Sequence, residues 1–220
     1  MSTAQDGRLN VAVIGAGPVG TVLGQALATA GHKLVTANSN DPQATVAEAD
    51  LVLFAIPAAQ IAATVTGYAK AGLFKPGQLI AHTAGEFGIE VLKPAVEQGV
   101  IPLAIHPAMT FTGTSIDLQR IRESYFGVAA PEVALPIAQA LVIEMGAEPI
   151  VISEEDRKVY FEAISVANNF SKLIVNQSIG LLESIGIEHA RVVLGPLIRS
   201  AVEEALADGH TPINPEELLS

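Results

Sequence analysis

The sequence predicts an α/β fold: a doubly wound, mostly parallel sheet followed by a small all-helical C-terminal segment. Three observations carry this. Short apolar runs rich in β-branched residues alternate with helix-compatible stretches from Leu9 to Ile152. A glycine-rich turn follows the first run directly and opens a helix. After Ser153 no strand-like run recurs, and two long helical patterns take over. The chain therefore divides at 152/153, into a 1–152 sheet domain and a 153–220 helical segment.

Leu9 to Ile14 is a buried strand, and Pro18 to Ala30 a helix of small residues that Gly31 stops. Lys33 to Ala37 is a second strand, closed by the turn Asn38-Ser39-Asn40-Asp41-Pro42. Asp50 to Ile56 is a third, continuous in apolar character as parallel strands covered on both faces are. Pro57 ends it, and Ala58 to Ala71 reads as a helix. Gln78 to His82 and Ile101 to Ile105 are further strands. Tyr125 to Ala130 and Glu148 to Ile152 follow, with a helix from Pro131 to Met145 between them. Ser153 then caps a helix whose first turn holds Glu154, Glu155 and Asp156. Asp156 to Ser184 is one long helix, apolar on more than one face, and Ile187 to Ala207 is another. Two helices alone cannot cover such faces, which predicts a homodimer through this segment.

Composition narrows the function. Of 220 residues 50% are apolar and 16% charged, so a sizeable core is available and disorder is excluded as the main state. Twelve basic against 23 acidic residues give a net charge of −11, which disfavours nucleic acid and anionic membrane as partners. The absence of cysteine removes disulfides, thiolate catalysis and zinc–thiolate sites. The uncharged stretches Val11 to Gly31 and Leu51 to Ala69 are broken by glycines and by Pro57, and read as core rather than membrane spans. Met1 to Asn10 lacks the apolar stretch of a signal peptide, so a cytoplasmic location is expected.

Gly15-Ala16-Gly17-Pro18-Val19-Gly20 fits G-x-G-x-x-G in the context that the chemistry needs, strand before and helix after. Gly15 makes the tight turn, Gly17 lets the backbone approach a pyrophosphate, and Gly20 lets helix pack on strand. The phosphates then meet free N–H groups at the helix N-terminus. At the end of the second strand stand Asn38, Ser39 and Asn40, where NAD enzymes place an acid for the ribose hydroxyls. Small polar residues there tolerate a 2′-phosphate, which favours NADP and leaves NAD possible.

His82 and His106 each end a predicted strand, at the sheet edge where open α/β sheets bind ligands. Either imidazole is a candidate for polarising or protonating a substrate carbonyl or hydroxyl, the alternative being a ring that caps its loop. Thr83 and Thr110 flank them as candidate substrate contacts. Asn168, Lys172 and Asn176 recur every four residues on the long helix, with Asn169 beside them. Lys172 and Asn169 are candidate catalytic groups, and Asn176 and Arg199 candidate substrate ligands, Arg199 for a carboxylate ahead of Arg157 or Arg191. No spacing marks a metal site.

Several segments together are familiar: the glycine turn, Ala49-Asp50-Leu51-Val52-Leu53-Phe54-Ala55-Ile56-Pro57, His82-Thr83-Ala84-Gly85, and Gly99 leading to His106-Pro107 with Thr110-Phe111. Arg157 with Tyr160, Asn169-Phe170, and Leu194-Gly195-Pro196 with Arg199 extend the pattern. The chain resembles the Rossmann-like predicted oxidoreductases whose second half is a helical domain of unknown function, within the 6-phosphogluconate dehydrogenase-like superfamily. The resemblance implies a Rossmann domain with the cofactor across Gly15 to Gly20, and Ala55, Ile56 and Pro57 on its nicotinamide ribose side. Lys172 and Asn176 match the Lys-x-x-x-Asn spacing of the related β-hydroxyacid dehydrogenases, and His106-Pro107-Ala108-Met109 resembles a segment of prephenate dehydrogenases. Phe161 stands where members of the resembled family usually carry histidine, and Asn40 where they often carry arginine. The expectation is an NAD(P)-dependent oxidoreductase passing hydride to or from a carbonyl, alcohol or imine carbon of a small polar substrate. A dinucleotide-binding sensor without chemistry and a deazaflavin-dependent NADP oxidoreductase are the alternatives.

Overall fold

The computed structural model describes residues 7–35 and 42–209. Seven strands form one sheet in the order β2-β1-β3-β4-β5-β6-β7. They are β1 (Asn10–Ile14), β2 (Lys33–Leu34), β3 (Leu51–Phe54), β4 (Leu79–His82), β5 (Ile101–Pro107), β6 (Tyr125–Ala129) and β7 (Glu148–Val151). Every neighbouring pair is parallel except β5 with β6. The helices are α1 (Pro18–Thr29), α2 (Pro42–Glu48), α3 (Ala58–Lys70), α4 (Lys93–Val96), α5 (Ile116–Ile121), α6 (Leu135–Glu144), α7 (Arg157–Ser184) and α8 (Ala190–Asp208). A 3-10 turn, Ile89–Leu92, leads into α4. None of the described helices is long and apolar enough to cross a membrane.

Strand side chains alternate between two cores, one on each face of the sheet. Val11, Leu51, Leu53, Leu79, Leu103 and Phe126 pack with α1, α5 and α6 on one face. On the other, Ala12, Val52, Phe54 and Ile80 pack with Ile61 and Val65 of α3 and Ala95 of α4. The order reverses between β1 and β3, the position at which an open α/β sheet has its ligand crevice. The same period of two puts His82 on the face of Phe54 and Ile80. His106 shares that face, because His82 pairs with Ala104 and His106 stands two residues further along β5.

The departures from the sequence expectation are local. The third strand ends at Phe54 rather than Ile56, although Ala55 N–H still bonds Ile14 O at 2.8 Å. The second keeps Lys33 and Leu34, with Val35 N–H bonded to Val11 O, while 36–41 lie outside the described residues. The helix expected from Pro131 begins at Leu135 after a turn closed on Pro131 O. The short elements α2, α4 and α5 and the antiparallel sense of β6 carried no period in the sequence.

The chain divides into two compact units, Met1–Glu162 and Ala163–Ser220, so the division falls inside α7 rather than ahead of it. Arg157 and Tyr160 therefore belong with the sheet. Ser153 caps as its position predicts: its Oγ accepts from Asp156 N–H at 3.0 Å and donates to the Asp156 carboxylate at 2.7 Å. In the second unit Phe170, Leu173, Ile174, Leu181, Val192 and Leu197 leave large apolar side chains exposed.

Candidate functional site

The glycine turn sits at the C-terminal end of β1, beside the end of β3. Gly15 has φ +131°, and a β-carbon there would stand 2.2 Å from Ala55 O, so only glycine fits. A β-carbon at Gly20 would meet Gly15 O at 2.5 Å and Val13 at 3.2 Å, which is how α1 comes down onto β1. Gly17 differs from both, since among the described residues nothing lies within 4 Å of its missing β-carbon. That open space is the cradle a pyrophosphate needs. The first α1 backbone bond is Thr21 N–H to Gly17 O, Pro18 brings no donor, and no acid stands in the first turn. The Val19 and Gly20 amides thus remain at a helix mouth with a positive dipole end and no competing carboxylate. The residues fit a dinucleotide diphosphate. Asn38, Ser39 and Asn40, assigned to the ribose, lie outside the described residues.

The loop after β5 closes against this turn. A β-carbon on Gly113 would lie 3.4 Å from Pro18. Fully buried Asp117 holds the loop, accepting from Thr112 N–H (2.7 Å), Gly113 N–H (2.8 Å) and the Thr112 hydroxyl (3.0 Å). Burial works to raise the Asp117 carboxyl, and the donors from Gly113 and Thr112 outweigh it and hold it below its ordinary value. Thr110 stands exposed in that loop, and Thr83 is half-buried with its N–H on Phe54 O.

The two strand-end histidines have different surroundings. His82 is fully buried; its Nε2–H donates to Gly88 O at 2.8 Å and its Nδ1 accepts from Ala84 N–H at 3.2 Å. Both nitrogens are spent on the backbone of the loop that follows β4. His106 is half-buried, its Nδ1 lies 2.8 Å from the Tyr160 hydroxyl, and the rings meet edge to face at 5.6 Å and 87°. Among the described residues nothing bonds its Nε2. Burial, helped by the Arg157 charge, lowers each histidine from 6.5 to about 4, so both are neutral at pH 7.

Two glycines make room for this cluster. A β-carbon on Gly85 would stand 2.7 Å from the His106 ring, and one on Gly127 would stand 2.6 Å from the Tyr160 oxygen. Gly127 pairs with His106 across the antiparallel β5–β6 ladder, so the tyrosine reaches the imidazole through the gap of a missing side chain. Arg157, one turn before Tyr160, is 3% exposed, with its guanidinium carbon 5.8 Å from the tyrosine ring centroid. Its Nη2–H donates to Ile152 O at 3.4 Å, while Nε and Nη1 have no partner among the described residues. Burial lowers the Arg157 pKa from its ordinary value, and the nearby Glu154 charge opposes that. Glu154 itself accepts from Ile89 N–H at 2.7 Å.

Of the sequence candidates, the structure brings together Gly15 to Gly20, Ala55, Ile56, Pro57, Thr83, His82 and His106 along one sheet edge. Lys172, Asn169 and Asn176 are exposed on α7 and Arg199 on α8, all in the second unit. Asn169 accepts from the Asn168 amide at 3.2 Å. Tyr160 was named by the sequence only as a mark of resemblance, and Gly127 not at all. The available signal was the Arg157-x-x-Tyr160 spacing on the first turn of a long helix. No three or more of the described His, Asp or Glu residues cluster as a metal site would.

Two family models match the chain: a Rossmann-like domain over residues 36–107 and a domain of unknown function, DUF2520, over 124–213. A search of curated proteins finds no sequence match. Among solved structures the chain is similar to a protein from Thermotoga maritima, at 18% identity over 88% of this chain and 77% of that one, with a TM-score of 0.66. It is similar to 1-pyrroline-5-carboxylate reductase from Streptococcus pyogenes, at 15% identity over 97% and 85%, with a TM-score of 0.67. Pyrroline carboxylate reductase from Plasmodium falciparum with NADP bound gives 12% identity over 96% and 82%, with a TM-score of 0.61. At these identities the likeness establishes the fold.

Proposed function

We propose that this chain, which joins a Rossmann-like domain to the DUF2520 domain, is an NAD(P)-dependent oxidoreductase acting on a small polar substrate with a carbonyl, alcohol or imine carbon. One observation carries the reading: an open dinucleotide turn at the switch point and, two strands beyond β3, an imidazole whose Nε2 has no partner among the described residues share one edge of the sheet. Gly15 to Gly20 hold the diphosphate through the α1 amides, with Ala55, Ile56 and Pro57 on the nicotinamide ribose side. The dinucleotide, when bound, supplies or accepts the hydride. His106 Nε2 faces the substrate heteroatom and hydrogen-bonds it as charge develops there. His82 shapes the loop that carries Gly85 against that ring. Proteins of this fold are found with NADP and with NAD bound, and the preference for NADP rests on Asn38 to Asn40. The exposed apolar side chains of α7 and α8 support a homodimer through the second unit. The acidic charge supports a protein that binds neither nucleic acid nor anionic membrane.

The test is oxidation of NADPH and NADH by the purified chain with a panel of small cyclic imines, 2-oxo acids and aldehydes, beside His106→Asn. Turnover of one class that His106→Asn removes, with dinucleotide affinity kept, is the expected result. Unchanged activity and affinity in His106→Asn would end the role assigned to His106. Tight dinucleotide binding without turnover would favour the sensor reading.

A further inference from the structure

His106 as a lone donor meets a chemical difficulty. The ring is neutral at pH 7, so giving up the Nε2 proton would leave an imidazolate, a base far too strong to form unaided. A second proton delivered to Nδ1 as the first leaves Nε2 removes that difficulty, and the group in contact with Nδ1 is the Tyr160 hydroxyl, at 2.8 Å.

We propose that Tyr160 is the proton source behind His106: its O–H donates to Nδ1, holds the imidazole as the Nε2–H tautomer, and passes its proton on as the substrate takes the one on Nε2. This rests on the oxidoreductase reading for its chemistry and on geometry for its arrangement. Three observations support it. Among the described residues Nδ1 is the acceptor within reach of the hydroxyl, and the Gly127 backbone already supplies a donor to the phenol oxygen, so a phenol that accepted from His106 as well would leave its own proton without a protein acceptor. The buried Arg157 cation stands over the tyrosine ring with no ion pair among the described residues and two nitrogens unpartnered. Burial raises the phenol pKa, and the Arg157 charge works against that, favouring the anion that donation leaves behind. The gap at Gly127 places the oxygen at the imidazole edge, where a relay needs it.

The protons balance. As hydride adds to the substrate carbon, the π pair of C=O or C=N moves to the heteroatom, which takes the Nε2 proton. The ring recovers a proton on Nδ1 from Tyr160, which is left as a phenolate. Its negative charge then faces Arg157, so the buried guanidinium gains its counter-ion during the reaction. A solvent proton then reaches Nε2 as the Nδ1 proton returns to the phenolate, which restores both the Nε2–H tautomer and the phenol. The other charged or titratable groups near the pair are His82 and Glu154, the latter already engaged with Ile89 N–H. Tyr160 acts through His106 and is a positioning and proton-supplying residue rather than one that touches substrate.

The experiment is nitrogen NMR of the full chain labelled on histidine, at pH 7 with and without NADPH, for wild type, Tyr160→Phe and Arg157→Met, with His106→Asn giving the assignment. Wild-type His106 is expected as a single neutral Nε2–H tautomer, and Tyr160→Phe as a mixture. A spectrophotometric titration of wild type against Tyr160→Phe isolates this tyrosine from the other two of the three. Burial already holds the Tyr160 ionisation above its ordinary value; Arg157→Met should raise it further, and Arg157→Lys should restore much of that if Met destabilises the chain. With a turned-over substrate, Tyr160→Phe should lower kcat roughly 10- to 100-fold with KM and dinucleotide affinity unchanged. A proton on Nδ1 in the wild type, or a Tyr160→Phe variant that keeps both tautomer and rate, would overturn the proposal. Failure to bind any dinucleotide would instead remove the oxidoreductase reading while leaving the tautomer result to stand.

Discussion

The ends of β4 and β5 present the same residue on the same face of the sheet, and the two positions serve different ends. His82 has no exposed surface and gives both ring nitrogens to backbone groups of its own loop, Gly88 O and Ala84 N–H. His106 gives one nitrogen to a side chain from 54 residues further along the chain, and its other nitrogen has no partner among the described residues. Both are held neutral by burial and by Arg157, so charge does not separate them. Hydrogen-bond bookkeeping does. A ring with both nitrogens satisfied by backbone is a structural part, and a ring with one oriented and one open is available for chemistry.

The comparison breaks most sharply in activity. His106→Asn should lower turnover by roughly 100-fold or more with a melting temperature close to wild type, checked by steady-state rates beside thermal unfolding. His82→Ala should do the reverse. It strands Gly88 O and Ala84 N–H and empties a filled site, for a loss of about 2–4 kcal/mol in denaturant unfolding with dinucleotide affinity retained. A destabilised His106→Asn or a fully stable His82→Ala would each invert the assignment.

Titration sharpens the same contrast. His82 has a folded value of about 4 against 6.5 unfolded, so the unfolded chain takes up its proton first as pH falls. The stabilisation is whole above pH 6.5 and is lost progressively between 6.5 and about 4, amounting to about 3 kcal/mol. Urea midpoints measured across that window should fall in the wild type and fall less steeply in His82→Gln, where His106 with the same shift still contributes. The smallest effect expected is at Gly85→Ala. Its new methyl would press on the His106 ring from 2.7 Å, lowering turnover by about 10-fold for a stability cost near 1 kcal/mol.

The same contrast explains what could be read from sequence. Alternating apolar runs, the glycine turn and Pro57 announce a doubly wound sheet because each reports a local constraint: period, tight turn, missing donor. The antiparallel β6 escaped because β5 and β6 are joined through a six-residue helix, and its apolar alternation is the same in either direction. His106 was visible as a strand-end histidine, whereas its difference from His82 was not. That difference depends on Tyr160 arriving through the gap at Gly127, a convergence of three segments with no shared spacing. Lys172 and Asn176 show the converse, a clear four-residue period on side chains that α7 leaves exposed.

Calorimetric titration of the cofactor-stripped chain with NADPH, NADP, NADH and NAD tests the central claim most directly. The account predicts binding with a Kd on the order of micromolar for at least one reduced and oxidised pair, the NADP pair ahead of the NAD pair, lost in Gly17→Val without loss of fold. No binding by a folded wild-type chain would make the glycine turn a purely architectural feature, and the oxidoreductase reading would fall with it.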